Sequence, residues 1–444
     1  MDQYEYLFKR AEELVQDLGA VLQELRAVQL SSAGSATPSP EWQPRAAALP
    51  VPKPIPLPVA KPMPPPVPKA PVRAPRPQLE VRTRDVVLRI SAAVLLFCVI
   101  ECAVFRSNFY ANYLDPRSTA GSVAFNMRLE QNRKPTGPNE VLAIGDSRMG
   151  IWTRVTDRLA PETGYALASI ATFGTYPRCW YYMLREVDPD RRRYAAVLIP
   201  VNELEDEDWG DWSREEVDVH YLASLLRVRD TYDFVRSFPT FKLRRLALRA
   251  IFLKGLTYNL DFQDLLDNYT HRMAELKWIR EYMLQARYTY LGPTKTVDGL
   301  QVDWAAHKIT RYPPGATETE RFNLDAELVR PVGVYTGQRE AYRRLWFGRI
   351  IDYYRGTRTR VIFLRLPRGP VVRPYPTNAR SSVVREFAAR GQAILLDEHS
   401  FDQMEQPAFF MDPVHFNEAG GERFAELLSR AVGAALGHPR KAGA

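Results

Sequence analysis

Two short motifs carry the chemistry that this 444-residue chain suggests. Gly145-Asp146-Ser147 follows the apolar run Val141-Leu142-Ala143-Ile144, and Asp412-Pro413-Val414-His415 opens the last helical pattern about 265 residues later. A seryl hydroxyl is a weak nucleophile at neutral pH. It needs an imidazole to take its proton and a carboxylate to orient that imidazole. A serine just after a buried strand, with an aspartate and a histidine arriving together at the far end of the domain, has that layout. Each motif alone also has an ordinary reading: Gly-Asp-Ser favours turns, and Asp412 could cap the helix that follows. Their order, strand context and position favour Ser147 as nucleophile, His415 as general base and then acid, and Asp412 as the orienting carboxylate.

Other residue types offer less. His220, His271, His307, His399 and His438 show no ligand-like spacing, so no metal is expected. The acidic run Glu203-Leu204-Glu205-Asp206-Glu207-Asp208 lacks the glycine turn and alternating ligands of a calcium loop and reads as a solvated loop. No glycine-rich phosphate loop is present, so no nucleotide cofactor is expected. The net charge of +8 comes from arginines spread along the chain and lacks a nucleic-acid-binding signature. It equally suits a protein held beside anionic lipid. Cys98, Cys102 and Cys179 imply no disulfide framework.

The elements that must position the two motifs read as an α/β domain from about residue 107. Short apolar runs at 141–144, 195–201, 361–366 and 393–396 fit buried parallel strands. Helical patterns at 180–187, 341–354, 382–390 and 418–436 alternate with them, which predicts a parallel sheet covered on both faces. In such sheets reactive residues sit at the carboxyl ends of strands, where Ser147 falls. An insertion at about 204–335 interrupts the alternation. It reads as mostly helical, around 221–235, 241–260 and 272–287, and suits a lid or a surface facing a bilayer. Its arginine-bearing stretch 242–254 either packs on the sheet, the favoured reading, or lies on a membrane.

Ahead of this domain, residues 86–105 form an apolar run long enough to span about 30 Å as a helix. Its only charges, Arg89 and Glu101, lie near its ends. Lys61, Lys69, Arg73, Arg76, Arg82 and Arg84 precede the run, whereas Arg106 and Arg117 alone follow closely. The positive-inside rule therefore predicts a cytoplasmic N-terminus and a domain outside the plasma (inner) membrane, in the periplasm or the extracellular space. Residues 31–85 are a disordered linker with prolines at nearly every second or third position between 38 and 78. Extended, that stretch reaches on the order of 120 Å. Residues 1–30 carry Leu7, Leu14, Leu18, Leu22 and Leu25 at helical spacing, an amphipathic helix expected to self-associate or bind a cytoplasmic partner.

The segments VLAIGDSRMG and DPVHFNEAGGERFAELL resemble the first and last sequence blocks of the SGNH/GDSL superfamily of hydrolases and acyltransferases. The resemblance covers about residues 140–202 and 340–436. It implies a flavodoxin-like three-layer α/β/α sandwich and a triad of Ser147, Asp412 and His415. It further implies an oxyanion hole made by the amides of Ser147 and Gly174 and the side chain of Asn202. Two positions depart from the family pattern. Pro200-Val201-Asn202-Glu203 stands where the family usually has Gly-x-Asn-Asp, and Arg148 replaces the leucine often found after the serine.

With a membrane anchor, the resemblance extends to the anchored SGNH proteins of alginate acetylation and teichoic acid D-alanyl transfer. It implies an O-acyltransferase, O-acetyl in the first instance, that modifies an extracellular or exported polysaccharide through an acyl-serine. A polytopic membrane acyltransferase would be its partner. The alternatives are an esterase of the same mechanism acting on an acyl ester, and a non-catalytic glycan-binding scaffold.

Overall fold

A computed structural model describes residues 83–135, 137, 139–150, 153–206, 215–286, 297–329, 338–372 and 381–437. The amphipathic segment 1–30 and the linker up to residue 82 lie outside the described residues.

A largely apolar run favours a helix, whose backbone groups satisfy one another without water, and the helix Thr83–Ile100 begins three residues ahead of that run. It continues as one π-type turn, Glu101–Arg106. The stretch Val86–Arg106 is long and apolar enough to cross a membrane. From Val86 to Val99 every residue is exposed, whereas Glu101 and Phe105 are buried. The compact unit that holds the sheet begins at Val94, inside the apolar helix.

The sheet has five parallel strands: β1 Glu140–Ala143, β2 Ala166–Ser169, β3 Ala196–Val201, β6 Arg360–Arg365 and β7 Ile394–Leu395. Their order is β2-β1-β3-β6-β7. With the two short strands between β3 and β6 set aside, this is the 2-1-3-4-5 order of one common doubly wound sheet. Side chains alternate across it. Leu142, Ile144, Val197, Ile199 and Phe363 enter one core. Val141, Ala143, Ala196, Leu198, Ile362 and Leu364 enter the other. Helices cover both faces. Trp180, Met183 and Leu184 of Pro177–Val187 join Trp346, Phe347 and Ile350 of Gln338–Tyr354 on the first. Val155 and Leu159 of Thr153–Thr163 join Phe424, Leu428 and Val432 of Glu418–Leu436 on the second.

The insertion divides more finely than its pattern predicts. The pattern at 221–235 divides into the helices Glu215–Leu222 and Thr231–Arg236, and that at 241–260 into Phe241–Phe252, Lys254–Thr257 and Asn259–Asp267. Beyond those helical patterns the insertion holds a hairpin, β4 Gln301–Asp303 and β5 Lys308–Arg311, and the helix Glu318–Leu328. The insertion is also part of both cores. Val219, Leu222, Phe234 and Ile251 lie in the first core, and Val297, Leu300, Ile309 and Leu324 in the second.

Candidate active site

β1 ends against β3: the Ile144 N–H donates to Leu198 O at 3.1 Å. The chain then turns sharply at Gly145, where a Cβ would stand 2.7 Å from Pro200 Cγ and 2.5 Å from Met149 Cγ, so only glycine fits this approach. Asp146 caps the 3₁₀ turn Ser147–Met149 by accepting the Arg148 N–H at 3.0 Å. It also holds the Arg148 guanidinium, whose Nε lies 3.1 Å from both carboxylate oxygens. Burial pushes the Asp146 carboxyl up, but the charge and hydrogen bonds of Arg148, with help from the His415 charge, bring it below its ordinary value. Asp146 is therefore an anion that fixes the turn. The turn leaves Ser147 half-buried at the carboxyl end of β1.

The histidine arrives on a reverse turn. The Met411 N–H donates to His415 O at 2.9 Å, and an antiparallel bridge joins Phe410 to Phe416. Inside the turn Asp412 Oδ1 accepts the N–H groups of Val414 (2.9 Å) and His415 (2.7 Å), while Oδ2 meets His415 Nδ1 at 2.6 Å. The Asp-x-x-His spacing thus lets one carboxylate fold the turn and hold the ring. Asn417, not Asp412, caps the terminal helix Glu418–Leu436, accepting the Gly420 N–H at 2.9 Å. Ser147 Oγ lies 2.7 Å from His415 Nε2. The tautomer that satisfies both ring contacts carries its proton on Nδ1, so that Nε2 accepts from the serine. Burial raises the Asp412 carboxyl, but the hydrogen bond and charge of His415 and the two backbone donors outweigh it and hold it below the usual carboxylate range. Asp412 is therefore charged at neutral pH, as it must be to stabilise an imidazolium.

Gly174 and Asn202 lie in the segments that follow the two strands flanking β1. Gly174, at φ +63°, turns the chain after β2, and a Cβ there would meet Tyr221 Oη at 2.8 Å. Its turn is tied to the serine's strand, because Gly145 O accepts the Thr172 N–H (2.9 Å) and the Thr175 hydroxyl (3.2 Å). Asn202 follows β3, whose last residue accepts the Leu366 N–H at 2.8 Å. The carboxyl ends of β2, β1 and β3 lie side by side in that order, so the segments bearing Gly174, Ser147 and Asn202 are neighbours.

Sequence reasoning missed several supporting residues. Gly369, at φ +127° in the loop after β6, comes so close to the histidine's turn that a Cβ would stand 2.6 Å from Pro413 O. The Gly369-Pro370 dipeptide is the turn signal that marks it. Beside it Arg365 donates to Glu405 Oε1 at 2.8 Å, and Arg368 binds the same carboxylate through its N–H and Nε, each at 3.0 Å. Tyr221 reaches Gly174 from the insertion, and nothing local in the sequence points to that contact. Among the described residues no cluster of three or more His, Cys, Asp or Glu side chains is placed to hold a metal ion. A cleft of about 320 Å³ lined by Asp115, His220, Asp261, Asp264 and Arg272, among others, includes none of Ser147, Asp412 and His415. No family model matches the chain, and no curated protein matches it.

The geometry provides a hydroxyl whose proton has a ready acceptor and an acceptor whose second nitrogen is held by a carboxylate. Such a set can attack an acyl carbonyl and return the proton to a leaving group.

Proposed function

We propose that the chain is a membrane-anchored serine O-acyltransferase of the SGNH/GDSL kind, which passes an acetyl group to a hydroxyl of an extracellular or exported polysaccharide. The observation that carries this reading is the hydrogen-bonded line Ser147 Oγ–His415 Nε2, His415 Nδ1–Asp412 Oδ2, at 2.7 and 2.6 Å. The 2-1-3-4-5 strand order, the serine after the first strand and the histidine before the last helix support a flavodoxin-like SGNH sandwich. In this reading Ser147 Oγ attacks the acyl carbonyl as His415 takes its proton. The amides of Ser147 and Gly174 and the side chain of Asn202 receive the oxyanion. The donor's leaving group departs with the proton from His415, which leaves an acyl ester on Ser147. A sugar hydroxyl then gives its proton to His415, attacks that ester and restores the serine.

The exposed apolar helix favours transfer at a membrane over the work of a freely diffusing esterase. The basic residues that precede it support a cytoplasmic N-terminus, with the site on the outer face of the plasma (inner) membrane. There a polytopic acyltransferase would supply the acyl group.

The test uses the purified full chain with an activated acetyl ester. Acid should be released, mass spectrometry should find an acetyl group on Ser147, and an added polysaccharide should take the group faster than water does. Ser147→Ala should lose turnover and adduct while keeping its unfolding temperature. Equal turnover in parent and Ser147→Ala would overturn the proposal.

A further inference from the structure

The insertion does not cover its apolar surface evenly. The helix Phe241–Phe252 buries Ala247, Ala250 and Ile251 in the core, yet Phe241, Leu248 and Phe252 of the same helix are exposed, at 79%, 39% and 39%. Further along the chain Leu256 and Leu260 are exposed at 41% and 75%. Lys242, Arg244, Arg245 and Arg249 are interleaved with these residues, all of them exposed, and the Arg249 guanidinium reaches the carbonyl of Leu256. Large apolar side chains rimmed by arginine and lysine match a surface that enters the headgroup region of an anionic bilayer.

The position of this surface along the apolar helix gives the occupant. The Glu101 carboxylate accepts the N–H groups of Lys254 and of Gly255, the latter at 2.9 Å. Phe105 packs on Tyr258 and Phe262, with ring centroids 6.4 and 5.5 Å away. Residues 254–262 therefore attach to the last turns of the apolar stretch, below its end at Arg106. The part exposed on all sides, Val86 to Val99, rises only about 21 Å, short of the ~30 Å of a hydrocarbon core. On the side that meets the insertion, the remaining depth is occupied by protein.

We propose that the exposed face formed by Phe241, Leu248, Phe252, Leu256 and Leu260, with its arginines, is seated in the interfacial layer of an anionic phospholipid bilayer. It completes the lipid-facing band where the spanning helix enters the domain. The proposal rests on the reading of residues 86–106 as a membrane span, and its test separates the two.

Full-length chain with Cys98→Ser and Cys102→Ser, in which Cys179 stays buried and unlabelled, is given one accessible cysteine by Phe241→Cys, Phe252→Cys or Leu260→Cys. Each variant carries an environment-sensitive fluorophore and is reconstituted in phosphatidylcholine vesicles with or without phosphatidylglycerol. Nitroxide lipids quench from a shallow or a central depth. A chain with Cys102→Ser labelled at native Cys98 reports the span, and one labelled after Thr310→Cys reports an exposed position on the hairpin that packs on the second core, not the first. The expected result is quenching of Cys98 by the central nitroxide, and quenching of the three insertion labels by the shallow nitroxide well beyond that at Thr310. The insertion signal should be stronger with phosphatidylglycerol and reduced by Arg245→Glu with Arg249→Glu. If Cys98 is quenched but the insertion labels match Thr310, the surface proposal is overturned and the span stands. If Cys98 is not quenched, the span itself is overturned. Label-to-label contact that grows with protein density, without lipid quenching, assigns the face to a second copy and overturns the proposal.

Discussion

Asp412 divides its two oxygens between two tasks. Oδ1 takes the backbone donors of Val414 and His415, and Oδ2 takes the imidazole. An asparagine keeps an oxygen for the backbone but offers an amide to the ring, which then has to reverse its tautomer. Asp412→Asn should therefore lower kcat on the order of 10³- to 10⁴-fold while the unfolding temperature changes little. Ester hydrolysis and thermal unfolding of the same preparation check this, and an unimpaired kcat would remove Asp412 from the relay. The meeting of Ser147, His415 and Asp412 was readable because the chemistry expected of them needs those side chains, and the Asp–His pair is local in the chain. Arg148 was readable as a departure from the family pattern, but not as the partner that fixes Asp146. Tyr221 beside Gly174 was not readable, because that contact joins an insertion helix to a sheet loop across 47 positions of unrelated sequence.

The strand ends and turns decide whether those side chains meet. Gly369 shows the dependence most directly, since it combines φ +127° with a close approach to Pro413 O. Gly369→Ala should cost about 1–3 kcal/mol of backbone strain and displace the turn that carries His415, so both the unfolding temperature and kcat should fall. Gly356 is the matching control, at φ +74° with nothing within 4 Å of an added Cβ. Gly356→Ala should cost only about 1–2 kcal/mol and leave kcat intact. Loss of kcat in both variants, or in neither, would refute the positioning role of Gly369.

The long elements were legible. The last helix runs over Glu418–Leu436, as its periodicity predicts, because an apolar stripe and the Asn417 cap agree. β2 was not legible: Ala166-Leu167-Ala168-Ser169 is short and lacks β-branched side chains, and its place beside β1 alone makes it a strand. The pattern at 241–260 looked like one helix. It breaks where Glu101 captures the N–H groups of Lys254 and Gly255, a long-range contact that local pattern cannot contain.

At the scale of the whole molecule, the junction between the apolar helix and the domain has an electrostatic cost. Lys254 is 4% exposed, and burial, followed by the charges of Arg106 and Arg227, lowers its pKa from 10.5 to about 8. Below pH 8 both folded and unfolded chains hold the proton, and the fold bears the full cost of a buried ammonium. Between about 8 and 10.5 the unfolded chain holds more protons, so stability from this group rises with pH. Lys254→Met should therefore be more stable than the parent near neutral pH, by on the order of 1–3 kcal/mol, with the advantage shrinking toward pH 10. Thermal unfolding of both full-length proteins in detergent at the two pH values checks this. An advantage that does not change with pH would show that charge burial is not the cost. Composition disclosed the apolar helix, but not that the domain packs against one side of its last turns, because that contact depends on Glu101 and Phe105 finding partners some 150 residues away.

Ser147 and His415 touch across a sequence separation of 268 residues. During synthesis the serine therefore emerges long before its base, and a chain still growing has no reactive centre. In the proposed function the hydroxyl meets its base only once the turn that carries His415 is made, by which time the rest of the sheet is available to fold. Under the proposed function, chemistry is thus the last property the molecule acquires, and an incompletely made copy stays inert.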